Sequence, residues 1–197
     1  MNPVTVLNIM YAPYAYAHPE RSALPAIALD RCPASIANQL LIDHYGLETR
    51  IDFEPNIDSV ARRCLDHWKR LPRICFLIGV RRLRAALIEQ RRYFDLDPIA
   101  QRFMCVPLQA DATAAPRSPR ASDVDVLAAG IECIAAPLAR LPSALRQRVP
   151  LLYPKAFDPL RQIRHAGGQI ATDDASWNPS LFSLAVNYAL VDHSTMP

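Results

Sequence analysis

Ile57-Asp-Ser-Val-Ala-Arg-Arg-Cys-Leu-Asp-His-Trp68 carries the clearest period in the chain. Ile57, Val60, Ala61, Cys64, Leu65 and Trp68 fall on the i, i+3, i+4, i+7 template of one helical face. Asp58, Arg62, Arg63 and Asp66 lie on the other faces, as does Lys69 just beyond, so the stretch reads as an amphipathic helix with Trp68 in a core. Pro72 ends it.

Outward from this helix the same logic repeats. From Arg73 to Arg92 the apolar set Ile74, Leu77, Ile78, Leu87 and Ile88 predicts a second, more buried helix, in which Gly79 permits close helix crossing at a propensity cost of about 1 kcal/mol. Asp97-Pro98 reads as a cap and a first-turn proline, with Ile99, Phe103 and Met104 continuing the helix to Pro107. Upstream, Pro33 opens a helix through Ile36, Leu40 and Leu41 that Gly46 is placed to end. Gln109 to Ser122, rich in Ala, Pro and Ser, predicts a mobile loop of about residues 109–122. Ser122 and Asp125 then resemble a capping box for a helix bearing Val124, Leu127, Ile131, Ile134 and Leu138, which Pro137 is expected to bend or finish. Pro142, Pro150, Pro154 and Pro159 break Leu141 to Leu160 into turns, Gly167-Gly168 and Asp173-Asp174 make further turns, and Asn178-Pro179 opens a last amphipathic helix. Strand signals are confined to a loose alternation over Val4 to Met10 and a short one over Arg50 to Glu54. The expected fold is all-α or mainly α, a compact single helical domain over residues 1–197 with at most minor β.

Composition narrows the function classes. Hydrophobic residues make up 51% of the 197 and charged residues 21%, ordinary values for a globular chain. A net charge of +3, from 22 basic and 19 acidic residues, is too small to imply nucleic acid on its own, since a dedicated binder usually concentrates a larger excess. Cys32, Cys64, Cys75, Cys105 and Cys133 are odd in number, widely spaced and without a Cys-x-x-Cys pair. They read as small buried thiols of a reduced cytoplasm rather than a disulfide framework or zinc site. No apolar run approaches the roughly twenty residues of a membrane span, and the N-terminus shows no basic region ahead of an apolar run, so a soluble protein is expected, reaching a membrane only through a partner.

Chemistry is hard to assemble from these residues. Five glycines with no Gly-x-Gly or Walker pattern leave no phosphate cradle. Asp43-His44, Asp66-His67 and Asp192-His193 are adjacent pairs, whose members point apart on a helix, and no nucleophile elbow or His-x-x-x-His pattern accompanies them. Asp52, Glu54, Asp58, Asp111, Asp123 and Asp125 sit near expected helix starts, where the macrodipole favours them. No catalytic, metal-ligating or cofactor-binding residue is expected, and no cofactor.

Two features remain. Arg62, Arg63, Lys69, Arg70, Arg73, Arg81, Arg82, Arg84, Arg91 and Arg92 crowd two adjacent helices. A solvated face neutralised by Asp58, Asp66 and Glu89 explains them as well as a functional patch does, one suited to an acidic protein surface, RNA or anionic lipid. The interaction face so defined is Arg70, Arg73, Arg81, Arg82, Arg84, Arg91 and Arg92. The other feature is Tyr11-Ala-Pro-Tyr-Ala-Tyr-Ala-His18, followed by Pro19, Glu20 and Leu24-Pro25. Its prolines oppose a helix, and in extended backbone Tyr14 and Tyr16 lie on one side, predicting an ordered strap of Tyr11, Pro13, Tyr14, Tyr16 and His18, with His18 making a structural hydrogen bond.

That strap resembles the opening of the SctK family, the YscK, OrgA and MxiK-like accessory proteins of the type III secretion sorting platform. Leu71 to Gln90, apolar and then basic around Gly79, is similar to the family's central helix, and Leu145-Arg-Gln-Arg-Val-Pro-Leu151 to its late Leu-Arg-x-Arg-x-Pro element. The resemblance spans Met10 to about Leu152. It implies a non-enzymatic adaptor joining the SctD-like cytoplasmic domain of the inner-membrane ring to the SctQ-like pod protein, and through it to the export ATPase complex. It also implies a place in the bacterial cytoplasm, peripheral to the inner membrane. The rivals are a helical nucleic-acid-binding module using the arginines of residues 62–92, and an enzyme with a dispersed site.

Overall fold

Wherever the apolar period is legible the backbone is helical. The computed structural model describes residues 3–25, 27–51, 59–107, 121–160, 163 and 177–191. Among them ten α-helices occur: α1 Pro3–Tyr11, α2 Pro19–Ser22, α3 Ala34–Tyr45, α4 Ser59–Asp66, α5 Leu71–Arg82, α6 Arg84–Glu89, α7 Pro98–Cys105, α8 Asp123–Ala139, α9 Ser143–Arg146 and α10 Pro179–Val191. The described residues hold no sheet, only an isolated bridge between Leu24 and Ile27. The mainly α expectation holds.

Local chemistry sets the helix ends. Asp97 accepts from the amides of Ile99 and Ala100, both at 3.0 Å, and so caps α7. Ser122 and Asp125 exchange bonds in both directions, 2.8 Å from the Ser122 amide to the Asp125 carboxylate and 3.2 Å from the Asp125 amide to the Ser122 hydroxyl. Asn178 caps α10 through the Leu181 amide at 2.9 Å. Gly46, at φ 56°, ends α3 in the left-handed region and donates to Asp43 and Ile42.

The chain divides into two compact units, Met1–Lys69 with Pro137–Arg164, and Arg70–Ala136 with His165–Pro197. In the first, α1 packs on α3, α4 and α9. Val6, Ile9, Met10, Leu41, Ala61, Cys64, Leu65, Trp68 and Leu145 are buried there. In the second, α5 packs on α7 and α10, and α7 on α10, around Ile74, Leu77, Ile78, Phe103 and Phe182. Two glycines bring α8 against α5. A Cβ on Gly79 would stand 1.8 Å from the Val126 carbonyl oxygen, and one on Gly130 1.8 Å from that of Cys75. Close crossing at Gly79 is thus real, and reciprocal.

Several expectations need correction. Val4 to Met10 is helix rather than strand, because Pro3 opens α1 and Val6, Ile9 and Met10 turn one apolar face inward. The segment after it is not extended: Pro13–Ala15 is a 3₁₀ turn, with the Tyr16 and Ala17 amides both donating to the Pro13 carbonyl at 3.1 and 2.9 Å. Proline is excluded from helix interiors, yet its fixed φ suits a first turn and its carbonyl still accepts. The same rule places Pro72 at the start of α5. The single helix expected over 73–92 is broken at Leu83, which is buried and belongs to neither α5 nor α6. The break leaves Leu87 inside but sends Ile88 outward, 54% exposed. Ile36 is likewise outside, the inner positions of α3 being Ala37, Leu41 and Ile42. Of the five free thiols, Cys64, Cys75 and Cys133 are buried as expected, Cys32 is half-buried, and Cys105 is exposed. The loop of about 109–122 lies, except for Ala121 and Ser122, outside the described residues, as do Ile57, Asp58 and the 167–174 turns.

Candidate docking surfaces

The strap belongs to the first unit, and its aromatic rings settle on two apolar clusters rather than in one row. Tyr14 packs on Leu29, Ala37 and Leu41. Tyr16 packs on Ile42, Leu47 and Leu151. The Tyr16 hydroxyl donates to the Ile9 carbonyl at 2.8 Å, and its ring meets Trp68 edge-on at 5.9 Å. Burial pushes the Tyr16 phenol well above its ordinary pKa, with the Arg148 charge opposing. Tyr11 is exposed and donates to the Thr49 carbonyl at 2.8 Å. The His18 amide donates to the Leu151 carbonyl at 2.7 Å, and its Nδ1 accepts from the Glu20 amide at 3.3 Å, capping α2. Sequence and geometry agree that this segment is tied down, though by turns and not by extension.

Two arginines help tie the segment down: Arg21, which the local sequence pattern does not single out, and Arg148, the second arginine of the Leu145–Leu151 element. Arg21 donates to the carbonyls of Tyr153, Pro154 and Phe157 at 3.1, 3.3 and 3.2 Å. Arg148, fully buried, donates to the carbonyls of Met10 at 2.9 Å, Glu48 at 2.8 Å and Ala144. The Met10 carbonyl lies in the last turn of α1, where a cation also meets the negative end of the helix dipole, while Glu48 follows the Gly46 cap of α3 and Ala144 lies within α9. Desolvation presses the Arg148 pKa below the ordinary arginine value, while Tyr16, Tyr11 and Glu48 oppose that shift. The signal was available: twenty of the 22 basic residues are arginine. A guanidinium's fork spans several carbonyls where an ammonium cannot.

The arginines of α5 and α6 repeat this behaviour in the second unit. Arg81 is buried and donates to the carbonyls of Met104, at 2.8 Å, and Val106, closing the C-terminus of α7. Arg73 forms a bidentate pair with Asp97 at 2.8 and 2.7 Å. Arg82 donates to the Ala129 carbonyl at 2.7 Å and to Glu132 at 3.1 Å, and Arg92 to the Ala121 carbonyl and, at 2.7 Å, to Asp123. Arg70 is half-buried. Of the seven arginines, Arg84 and Arg91 are exposed. The structure therefore gathers four of the seven into internal clamps. Among the described residues no group of three or more His, Cys, Asp or Glu side chains is placed to hold a metal, and no helix is long and apolar enough to cross a membrane.

Comparison with known proteins places the chain. The model of a family described as bacterial type III secretion apparatus protein (OrgA_MxiK) matches residues 6–191. The oxygen-regulated invasion proteins OrgA of Salmonella typhimurium strains 14028s, SL1344 and LT2 are each 28% identical over 196 residues, covering 99% of this chain and 92% of theirs. No solved structure shows significant similarity.

Proposed function

Because the chain belongs to the OrgA_MxiK family of bacterial type III secretion apparatus proteins, we propose that it is a non-enzymatic adaptor of the sorting platform. It joins an SctD-like ring domain to an SctQ-like pod protein, and so to the export ATPase complex, at the cytoplasmic face of the inner membrane. The observation that carries this reading is the family match over residues 6–191. The geometry supports it in one respect: buried polar side chains are spent on holding the chain's own backbone, as with Arg148 and Arg81, and not on lining a reactive cleft. The nucleic-acid alternative loses ground for the same reason, since Arg73, Arg82 and Arg92 are paired to carboxylates and carbonyls of their own unit. Nucleic-acid binding needs cations that are free to neutralise phosphates and so release the counterions condensed on them.

The test is reconstitution. With purified ring-protein cytoplasmic domain immobilised, the pod protein from the same system is expected to be retained when this chain is added and to be lost when it is omitted. Equal retention without the chain, or nuclease-sensitive capture, would defeat the adaptor reading.

A further inference from the structure

Phe94 is 79% exposed, the most exposed large apolar side chain among the described residues. An aromatic ring in water is common on a loose loop, but here its support is built. Phe94 lies in the 3₁₀ turn Arg92–Asp95, which packs on α6. The Gln101 side chain donates to the carbonyls on either side of it, Tyr93 at 3.1 Å and Leu96 at 2.9 Å. Arg92 fastens the start of the turn to Ala121 and Asp123, Gln90 accepts from the Ala121 amide at 2.8 Å, and Leu96 is buried beyond it. Tyr93 meets the Phe94 ring edge-on at 5.5 Å. The turn opens on Arg91 at φ 57°, the one non-glycine residue with positive φ among those described, a backbone state that persists only when its surroundings hold it. The backbone of the turn is thus fixed on both sides of a ring that touches Tyr93 and is otherwise largely in solvent.

An anchor held in place before binding loses little conformational entropy when it docks, which is what makes a rigid aromatic side chain a hot spot. The surrounding charge names the kind of partner. The exposed charged residues of α6 and the turn are Arg84 and Arg91 against Glu89 and Asp95, two of each sign. Nucleic acid and anionic lipid need an uncompensated basic surface, which this is not. An apolar anchor within a rim of balanced charge matches a folded protein surface with an apolar pocket and both signs at its edge. We propose that the Phe94 pedestal is a docking site for such a protein partner, with the phenyl ring as its anchor. This rests on the adaptor reading and replaces the arginine face with an aromatic one.

The experiment measures binding of the full-length chain to purified ring-protein cytoplasmic domain and to purified pod protein, with Phe94→Ala and Arg84→Ala alongside. Unchanged circular dichroism and melting temperature are expected for Phe94→Ala, since the ring packs on little. It should weaken one of the two partners at least tenfold and leave the other within threefold, while Arg84→Ala stays within threefold for both. Raising salt from 0.1 to 0.5 M should change the Phe94-dependent affinity by less than threefold. Wild-type binding of both partners by Phe94→Ala overturns the inference and leaves the adaptor reading standing. Wild-type protein that binds neither overturns both. Self-association abolished by Phe94→Ala, with partner binding intact, overturns it in favour of a second copy as occupant.

Discussion

The guanidinium of Arg148 donates to the carbonyl of Met10, 138 residues earlier, through Nη2 at 2.9 Å and Nε at 3.3 Å. The same group reaches Glu48 and Ala144, so one buried cation ties the last turn of α1 to the segment after α3 and to α9 within the first unit. Around it Gln147 accepts from the Glu48 amide at 3.0 Å, and Ser143 donates to the Glu48 carboxylate at 3.0 Å. Residues about a hundred positions apart are thereby held as one polar knot.

Arg148→Ala should therefore be severe. It leaves buried carbonyls without donors and a cavity where the side chain lay, and a loss of about 3–5 kcal/mol is expected. Arg148→Lys keeps the charge but cannot reach three acceptors at once, so it should recover only part of that loss. Urea unfolding followed by circular dichroism measures both, with Arg84→Ala as an exposed control within about 0.5 kcal/mol of wild type. An Arg148→Lys protein as stable as wild type would show that charge, and not the fork, matters.

Gly79→Ala and Gly130→Ala test the α5–α8 crossing. In an exposed helix the change would stabilise by about 1 kcal/mol. Here each new methyl meets a backbone oxygen at 1.8 Å, so the helices must separate, and a loss of about 1–3 kcal/mol or more is expected. Gly46→Ala is a different case, with nothing within 4 Å but a φ of +56°, and should cost about 1 kcal/mol through backbone strain alone. Thermal melts of the three variants should rank Gly46→Ala the mildest.

Helix existence, caps and the core seam were legible because each depends on residues within four or five positions of one another. Asp97, Ser122, Gly46 and Trp68 all do in the fold what their neighbours predict. What the sequence hid depends on distance along the chain. Arg73, Arg81, Arg82 and Arg92 look like one basic strip when read locally, yet their partners lie 24, 23, 47 and 31 residues away. A period assigns a residue to a helix face, but not what faces it. The strap is ordered, but its local form is hidden for another reason: a proline that breaks a helix interior also suits a first turn, and Pro13 and Pro19 each begin one.

Asp97 gives the fold an acid-sensitive joint. The Arg73 side chain, and after it the amides of Ala100 and Ile99, hold its carboxyl below the ordinary value of 3.8 against the opposing desolvation. A depressed folded-state value means the contribution is fully present above the unfolded pKa and is lost as pH falls through the folded one. The stability gap between wild type and Asp97→Ala should be constant from pH 7 to about 5 and shrink below about 4. At neutral pH the lost cap should cost about 1 kcal/mol, with the half-exposed ion pair adding a few tenths after solvent screening. Chemical denaturation across that pH range reads the gap, and a gap that widens on acidification would contradict the assignment.

Tyr16 supplies the opposite limit. Burial raises its phenol above the ordinary 10.0, because an anion there would lose its solvation and could no longer donate to the Ile9 carbonyl. Raised values carry the reverse sign: the contribution is complete below pH 10 and drains away as pH climbs from the unfolded value toward the folded one. In an alkaline absorbance titration Tyr16 should stay protonated in the native protein and ionise only with unfolding. Tyr16→Phe should remove that silent tyrosine, flatten the alkaline fall in stability, and at neutral pH cost about 1 kcal/mol for the lost hydrogen bond while the ring keeps its place on Trp68. If Tyr16→Phe lowers the absorbance change that the native protein shows before it unfolds, the packing of the strap against Trp68 is not what the distances describe.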